Sequence, residues 1–116
     1  LKRISLFDLY LDTFPYNGHT GISDSLFQAC VPTISFSGNS FASRVSMSLL
    51  SSLNLKNLIT TSEQEYKKKI EYYCSNRSEL QKIKDYLLNY KVKNFDRMKS
   101  FTKDFESLML TLVNKV

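Results

Sequence analysis

With 116 residues, 42% of them hydrophobic and 23% charged, the chain has room for one domain with one core, and its composition is that of a globular protein. The formal charge of +5 is a weak nucleic-acid signal: Lys2, Arg3 and Arg44 balance Asp8, Asp12 and Asp24, leaving 13 of the 16 basic and 8 of the 11 acidic residues in the helical sequence that follows. No apolar run approaches the ~18 residues of a membrane span, the first residues lack the apolar stretch of a signal peptide, and Cys30 and Cys74 show neither metal-ligand nor CxxC spacing, so a soluble, cytoplasmic chain with two reduced core thiols is expected.

In chain order, residues 6–11 are an apolar, strand-like run, followed by a turn that holds two of the three glycines (Gly18, Gly21), the only histidine (His19) and Pro15. Ile22, Leu26, Phe27 and Cys30 then recur at the spacing of one helical face, predicting a helix over residues 21–30. Residues 31–36 form a short β-prone run ending at Gly38, and Phe41, Val45 and Leu49, with Met47, Leu50 and Leu53, mark an amphipathic helix. Leu58, Ile59 and Thr60 suit an edge strand or an extended link. This alternation makes parallel sheets with right-handed crossovers, so residues 1–61 read as a βαβα segment.

From Ser62 the pattern is helical only, and residues 62–116 read as a helical segment of the same domain. Ser62 and Glu65 have capping-box spacing, and Tyr66, Ile70, Tyr73 and Cys74 give the buried face of the first of these helices. Asn76 and Glu79 repeat the cap before a face of Leu80, Ile83, Leu87 and Leu88, residues 90–94 are the expected connector, and Phe101, Phe105, Leu108, Met109 and Leu112 mark the last face. Two or three parallel strands do not cover both faces and edges of a sheet, so the fold is expected to be incomplete on its own.

The strand-to-helix turn around His19 is the candidate site. Unpaired N–H groups at a helix start, at the carboxyl end of a parallel strand, favour an anion such as a phosphate. Gly18 and Gly21 flank His19 and permit close approach of backbone to a ligand, while Thr20 has the chemistry of a helix cap. Asp24 lies in the first turn, where the helix dipole favours an acid with no ligand at all; beside an anion site it is expected to point sideways, toward hydroxyls. Arg44, at the start of the next helix, opposes the dipole there and is expected to pair with a carboxylate or a ligand phosphate, the structural pairing being favoured. Tyr72, Tyr73 and Lys67 to Lys69 fall at helical spacing, which divides them between core and solvent and leaves no nucleic-acid surface.

The runs Leu11-Asp12-Thr13-Phe14-Pro15-Tyr16-Asn17-Gly18-His19-Thr20, Asp24-Ser25-Leu26, Val31-Pro32, Phe41-Ala42-Ser43-Arg44-Val45 and Ser48-Leu49-Leu50 together resemble the C-terminal end of the O-linked N-acetylglucosamine transferase family, which includes the plant SPINDLY-type protein fucosyltransferases. Weaker likeness continues through Leu58-Ile59, Glu65-Tyr66, Phe95-Asp96 and Asp104-Phe105-Glu106. The resemblance implies an α/β fold, the C-terminal portion of a Rossmann-like GT-B donor lobe, with tetratricopeptide repeats far upstream. It implies that His19, Thr20, Gly21 and Ile22 meet the donor diphosphate, that Asp24 holds the ribose hydroxyls, that Tyr16 and Asn17 lie on the sugar side, and that no metal or other cofactor is used. Where the family has a second threonine this chain has Gly21, so one hydroxyl is missing there. The catalytic base and the remaining donor contacts would lie upstream of Leu1.

The expected function is therefore donor-nucleotide binding within an inverting, metal-independent protein O-glycosyltransferase, with UDP-GlcNAc as donor, a protein Ser/Thr as acceptor and the rest of the enzyme upstream; the segment alone is expected to be inactive. Neither nucleic acid nor membrane is an expected partner. Two other classes compete: a non-catalytic helical interaction module that uses the basic half, and a sugar-nucleotide epimerase of the same two-lobed shape.

Overall fold

A computed structural model describes residues 2–94 and 97–115. Three strands, β1 (Tyr10–Leu11), β2 (Thr33–Phe36) and β3 (Ile59–Thr60), form a sheet in that order. Both pairings are parallel, Tyr10 opposite Thr33 and Ser35 opposite Ile59. The expected strand–helix–strand–helix–strand order is thus the observed one, but β1 is far shorter than residues 6–11, and Ile4–Leu6 form a 3-10 turn instead. The reason lies in its neighbour. Tyr10 N–H donates to the Pro32 carbonyl at 2.8 Å, and the next bond toward residue 6 would need a donor from Pro32, which has none.

β2 is central, and its first three residues are buried on both faces, as a parallel strand between helical layers should be. Its hydroxyls do not go unpaired. Ser25 and Thr33 hydroxyls meet at 3.3 Å, Ser35 Oγ donates to Asp12, and Thr60 Oγ1 donates to the Ser35 carbonyl at 2.8 Å.

Helix α1 (Thr20–Ser23) runs on into a wider, π-type turn (Asp24–Ala29) that ends at Cys30 in the left-handed conformation, φ 57°. Cys30 is buried, as expected, and burial pushes its thiol up against the opposing pull of Lys91. Helix α2 (Val45–Ser52) starts later than the spacing of Phe41, Val45 and Leu49 implies, because residues 38–44 are taken up by a turn in which Gly38 N–H donates to the Ser43 carbonyl. Its buried face is Ser46, Leu50 and then Leu53, whereas Phe41 is 78% exposed. A small polar residue holds the innermost position of α2, which a search for apolar periodicity passes over. Asn54, φ 57°, closes the helix: Asn54 N–H donates to Ser51 and Leu55 N–H to Leu50, the two bonds of a Schellman stop.

Ser62 caps α3 (Glu63–Ser75) by accepting the Glu65 N–H at 3.2 Å, and the Glu65 carboxylate reaches back to accept the Thr61 N–H at 3.0 Å. Tyr66, Ile70 and Tyr73 face inward as expected. Cys74 does not; at 3.6 residues per turn it falls just outside the stripe those three centre, and it is exposed. The Asn76 side chain caps backward, donating to the Tyr72 carbonyl, so it closes α3 instead of opening α4 (Arg77–Lys93). Leu80, Ile83 and Leu87 are buried and Leu88 is not.

The connector expected at residues 90–94 is mostly helix, since nothing in it breaks α4 and Lys91 Nζ bonds the Gln28 carbonyl at 2.6 Å. Phe95 and Asp96 lie outside the described residues. α5 (Arg97–Val113) has the expected period, but Phe101, Phe105, Leu108 and Leu112 remain exposed, so the described residues do not cover that face. No described helix is long and apolar enough to cross a membrane.

Candidate functional site

Parallel neighbours joined by a helical crossover bring both strand-to-helix turns to the same edge of the sheet. Here the turn after β1 (residues 12–19) and the turn after β2 (residues 37–44) lie together: Asn17 N–H donates to the Ala42 carbonyl at 2.9 Å. Asn17 is the pin between them. Its amide donates to the Thr13 and Phe36 carbonyls at 3.0 and 3.3 Å, and its Oδ1 accepts from Ser46 N–H at 3.4 Å, which gives α2 the cap its own sequence lacks. It is fully buried. Asn17, expected on the sugar side, is therefore a scaffold residue: every group of its amide already has a partner inside the protein.

At the start of α1 the first intrahelical bond is Ser23 N–H to the His19 carbonyl, so the N–H groups of Thr20, Gly21 and Ile22 have no partner among the described residues. Thr20 does not cap the helix as expected. His19 occupies the cap position, and no side chain bonds the helix start. The Asp24 carboxylate is half-buried and bonds none of these N–H groups, which leaves them and the carboxylate separately available. Gly21 has a local reason: a Cβ there would stand 3.0 Å from the Tyr10 hydroxyl.

The His19 ring lies under Tyr16, centroids 4.8 Å apart and nearly parallel, with Phe41 edge-on at 6.4 Å. Its Nε2 is buried without a hydrogen-bond partner. An orphaned polar atom of this kind costs about 1–3 kcal/mol, and an incoming polar group that satisfies it recovers that energy. Tyr16 and Phe41 are both well exposed, so the surface around the imidazole is aromatic and open.

Arg44 does not pair with a carboxylate among the described residues; its Nε donates to the Ser40 carbonyl at 3.2 Å. No group of three or more His, Cys, Asp or Glu side chains is gathered as metal ligands among the described residues. A hollow of about 510 Å³ lies elsewhere, between Leu26, Phe27, Leu49, Leu87, Tyr90 and Phe101, with Lys91 in its wall. In the basic half, Lys67 pairs with Glu63 at 2.6 Å and Lys82 with Glu79 at 2.7 Å, pairs that dilute any continuous positive surface.

Comparison with known proteins gives a consistent result. The profile of glycosyl transferase family 41 matches residues 1–105. A tomato (Solanum lycopersicum) protein named as a probable UDP-N-acetylglucosamine–peptide N-acetylglucosaminyltransferase SPINDLY is 41% identical over 66 residues, 57% of this chain and 7% of its own length. Its namesake from Hordeum vulgare is 33% identical over 108 residues, 92% of this chain and 11% of its own. Among solved structures, a mutant of the Thermobaculum terrenum O-GlcNAc transferase superposes with a TM-score of 0.80 at 26% identity, over 89% of this chain and 20% of that one. The parallel strands and helices are thus those of part of a GT-B catalytic region, and the chain spans about a tenth or less of these plant relatives.

Proposed function

Since the chain belongs to glycosyl transferase family 41, we propose that it is the donor-nucleotide-binding segment of a protein O-glycosyltransferase, with UDP-GlcNAc as the donor. The observation that carries this reading is the set of free N–H groups at Thr20, Gly21 and Ile22, at the carboxyl end of a parallel strand and next to the unsatisfied His19 Nε2. A diphosphate held there gains charge-assisted hydrogen bonds of roughly 1.5–3 kcal/mol each, and the helix dipole adds to them. Asp24, free of those N–H groups, takes the ribose hydroxyls. Tyr16, exposed and stacked on His19, lies on the sugar side.

In the proposed reaction an acceptor Ser or Thr hydroxyl attacks the anomeric carbon as the bond to the diphosphate breaks. The configuration inverts, UDP departs with the electron pair, and the hydroxyl proton goes to a base outside this segment. The contribution of these residues is to hold the leaving group's growing charge without a metal, through dipoles already in place. The segment alone is inactive, and the enzyme works in the cytoplasm. Family membership supports this reading over an epimerase, and the paired lysines do not favour a basic interaction module.

The test uses the full-length protein with UDP-GlcNAc and Ser/Thr peptides in the presence of a chelator. Transfer with release of UDP is expected, at a higher rate than with UDP-glucose or GDP-fucose. Activity that disappears with the chelator and returns with a divalent cation contradicts the metal-free reading, and preference for another nucleotide sugar replaces the donor.

A further inference from the structure

We infer that Asp12 is a positioning residue of the donor site: its buried carboxylate holds the loop that aims the N–H groups at the start of α1. The inference rests on the donor-site reading and extends it to a residue that need not touch the ligand. Asp12 is 5% exposed. Its Oδ1 accepts from Thr13 N–H at 2.9 Å and from Gly18 N–H at 2.8 Å, which ties the two ends of the turn to one atom. Its Oδ2 accepts from Ser35 Oγ at 3.0 Å, which fixes that atom to β2. Its own N–H donates to the Ile34 carbonyl at 3.0 Å, and its carbonyl accepts the Tyr66 hydroxyl at 2.7 Å, so α3 holds the same point from the far side.

Gly18 directly precedes His19, and a Cβ at Gly18 would press on Ile22 Cγ1 at 3.0 Å, so the position of the Gly18 backbone and that of the first turn of α1 are set together. A negative charge beside a diphosphate site works against the ligand. Three donors directed at this one compensate for much of that repulsion, and the geometry they impose is what the carboxylate contributes.

The test measures donor KM, kcat and UDP affinity in the full-length protein for Asp12→Ala and Asp12→Asn. Asp12→Ala removes the acceptor for all three donors and is expected to raise donor KM and UDP Kd by about tenfold or more, with acceptor KM unchanged. A purely structural role would reduce the folded fraction and so lower kcat alone, leaving the KM of the remaining molecules as in wild type. Asp12→Asn keeps an oxygen for the two N–H groups and turns its amide to Ser35 Oγ, so it is expected to restore donor KM to within about threefold of wild type.

Donor KM within twofold of wild type in Asp12→Ala overturns the inference, and so does an Asp12→Asn variant as weak as Asp12→Ala. If Asp12→Ala does not fold, Ser35→Ala releases Oδ2 alone; an unchanged donor KM there overturns the inference equally. A wild type that neither binds UDP nor transfers sugar overturns the donor-site reading itself, whereas a wild type that binds while Asp12→Ala binds as tightly removes only this inference.

Discussion

Leu50→Ala is expected to destabilise the α/β unit by about 2–5 kcal/mol, the range for truncating a fully buried leucine, and Phe41→Ala to change its stability by less than about 0.5 kcal/mol. Leu50 lies within α2, and Phe41 in the turn that precedes it. Leu50 is fully buried in the core with Ile34 and Leu58, and its carbonyl also accepts the Leu53 and Leu55 N–H groups that stop α2. Phe41 is 78% exposed, its ring perpendicular to that of His19 at 6.4 Å between centroids. Native-state hydrogen exchange of the α2 amides in the full-length protein reads the local effect without assuming that a large chain unfolds in one step. Equal losses from the two substitutions would mean that α2 packs through the face containing Phe41, Val45 and Leu49.

Asp24→Ala is expected to weaken UDP binding by roughly 1.5–3 kcal/mol, the range for hydrogen bonds to a charged group. The sequence placed Asp24 in the first turn of the helix, whereas it follows α1 at the start of the π-type turn; its alternative role there is to complement the helix dipole. Removing it would then lower stability slightly and leave UDP affinity unchanged or improved, because a competing negative charge has gone. The carboxylate bonds none of the N–H groups of Thr20, Gly21 or Ile22, so neither role is already taken up by a contact at the helix start. Calorimetric titration of UDP into wild type, Asp24→Ala and His19→Ala separates the two. Unchanged affinity in a folded Asp24→Ala removes Asp24 from the site.

The parallel order of β1, β2 and β3 was legible because the β-prone run at residues 31–36 lies between a helical period and Gly38, and parallel neighbours need such a crossover. Ser62 with Glu65 marked the start of α3 for a local reason, the spacing of a capping box. What failed depended on partners distant in sequence. β1 is cut short by Pro32, which has no N–H to donate. Ser46 holds the inner face of α2, and the polarity of Asn17 hid a residue that bonds three separate segments. The apolar period of α5 was correct, but periodicity does not say what covers a face, and here the described residues leave it open.

The most direct measurement of the donor site is the structure of the full-length protein with UDP bound. Diphosphate oxygens within hydrogen-bonding distance of the Thr20, Gly21 and Ile22 N–H groups, with His19 Nε2 satisfied and the ribose hydroxyls on Asp24, are the predicted result. UDP seated away from the β1–α1 turn, for instance in the hollow between Phe27, Leu87 and Tyr90, with those N–H groups still free, would contradict it.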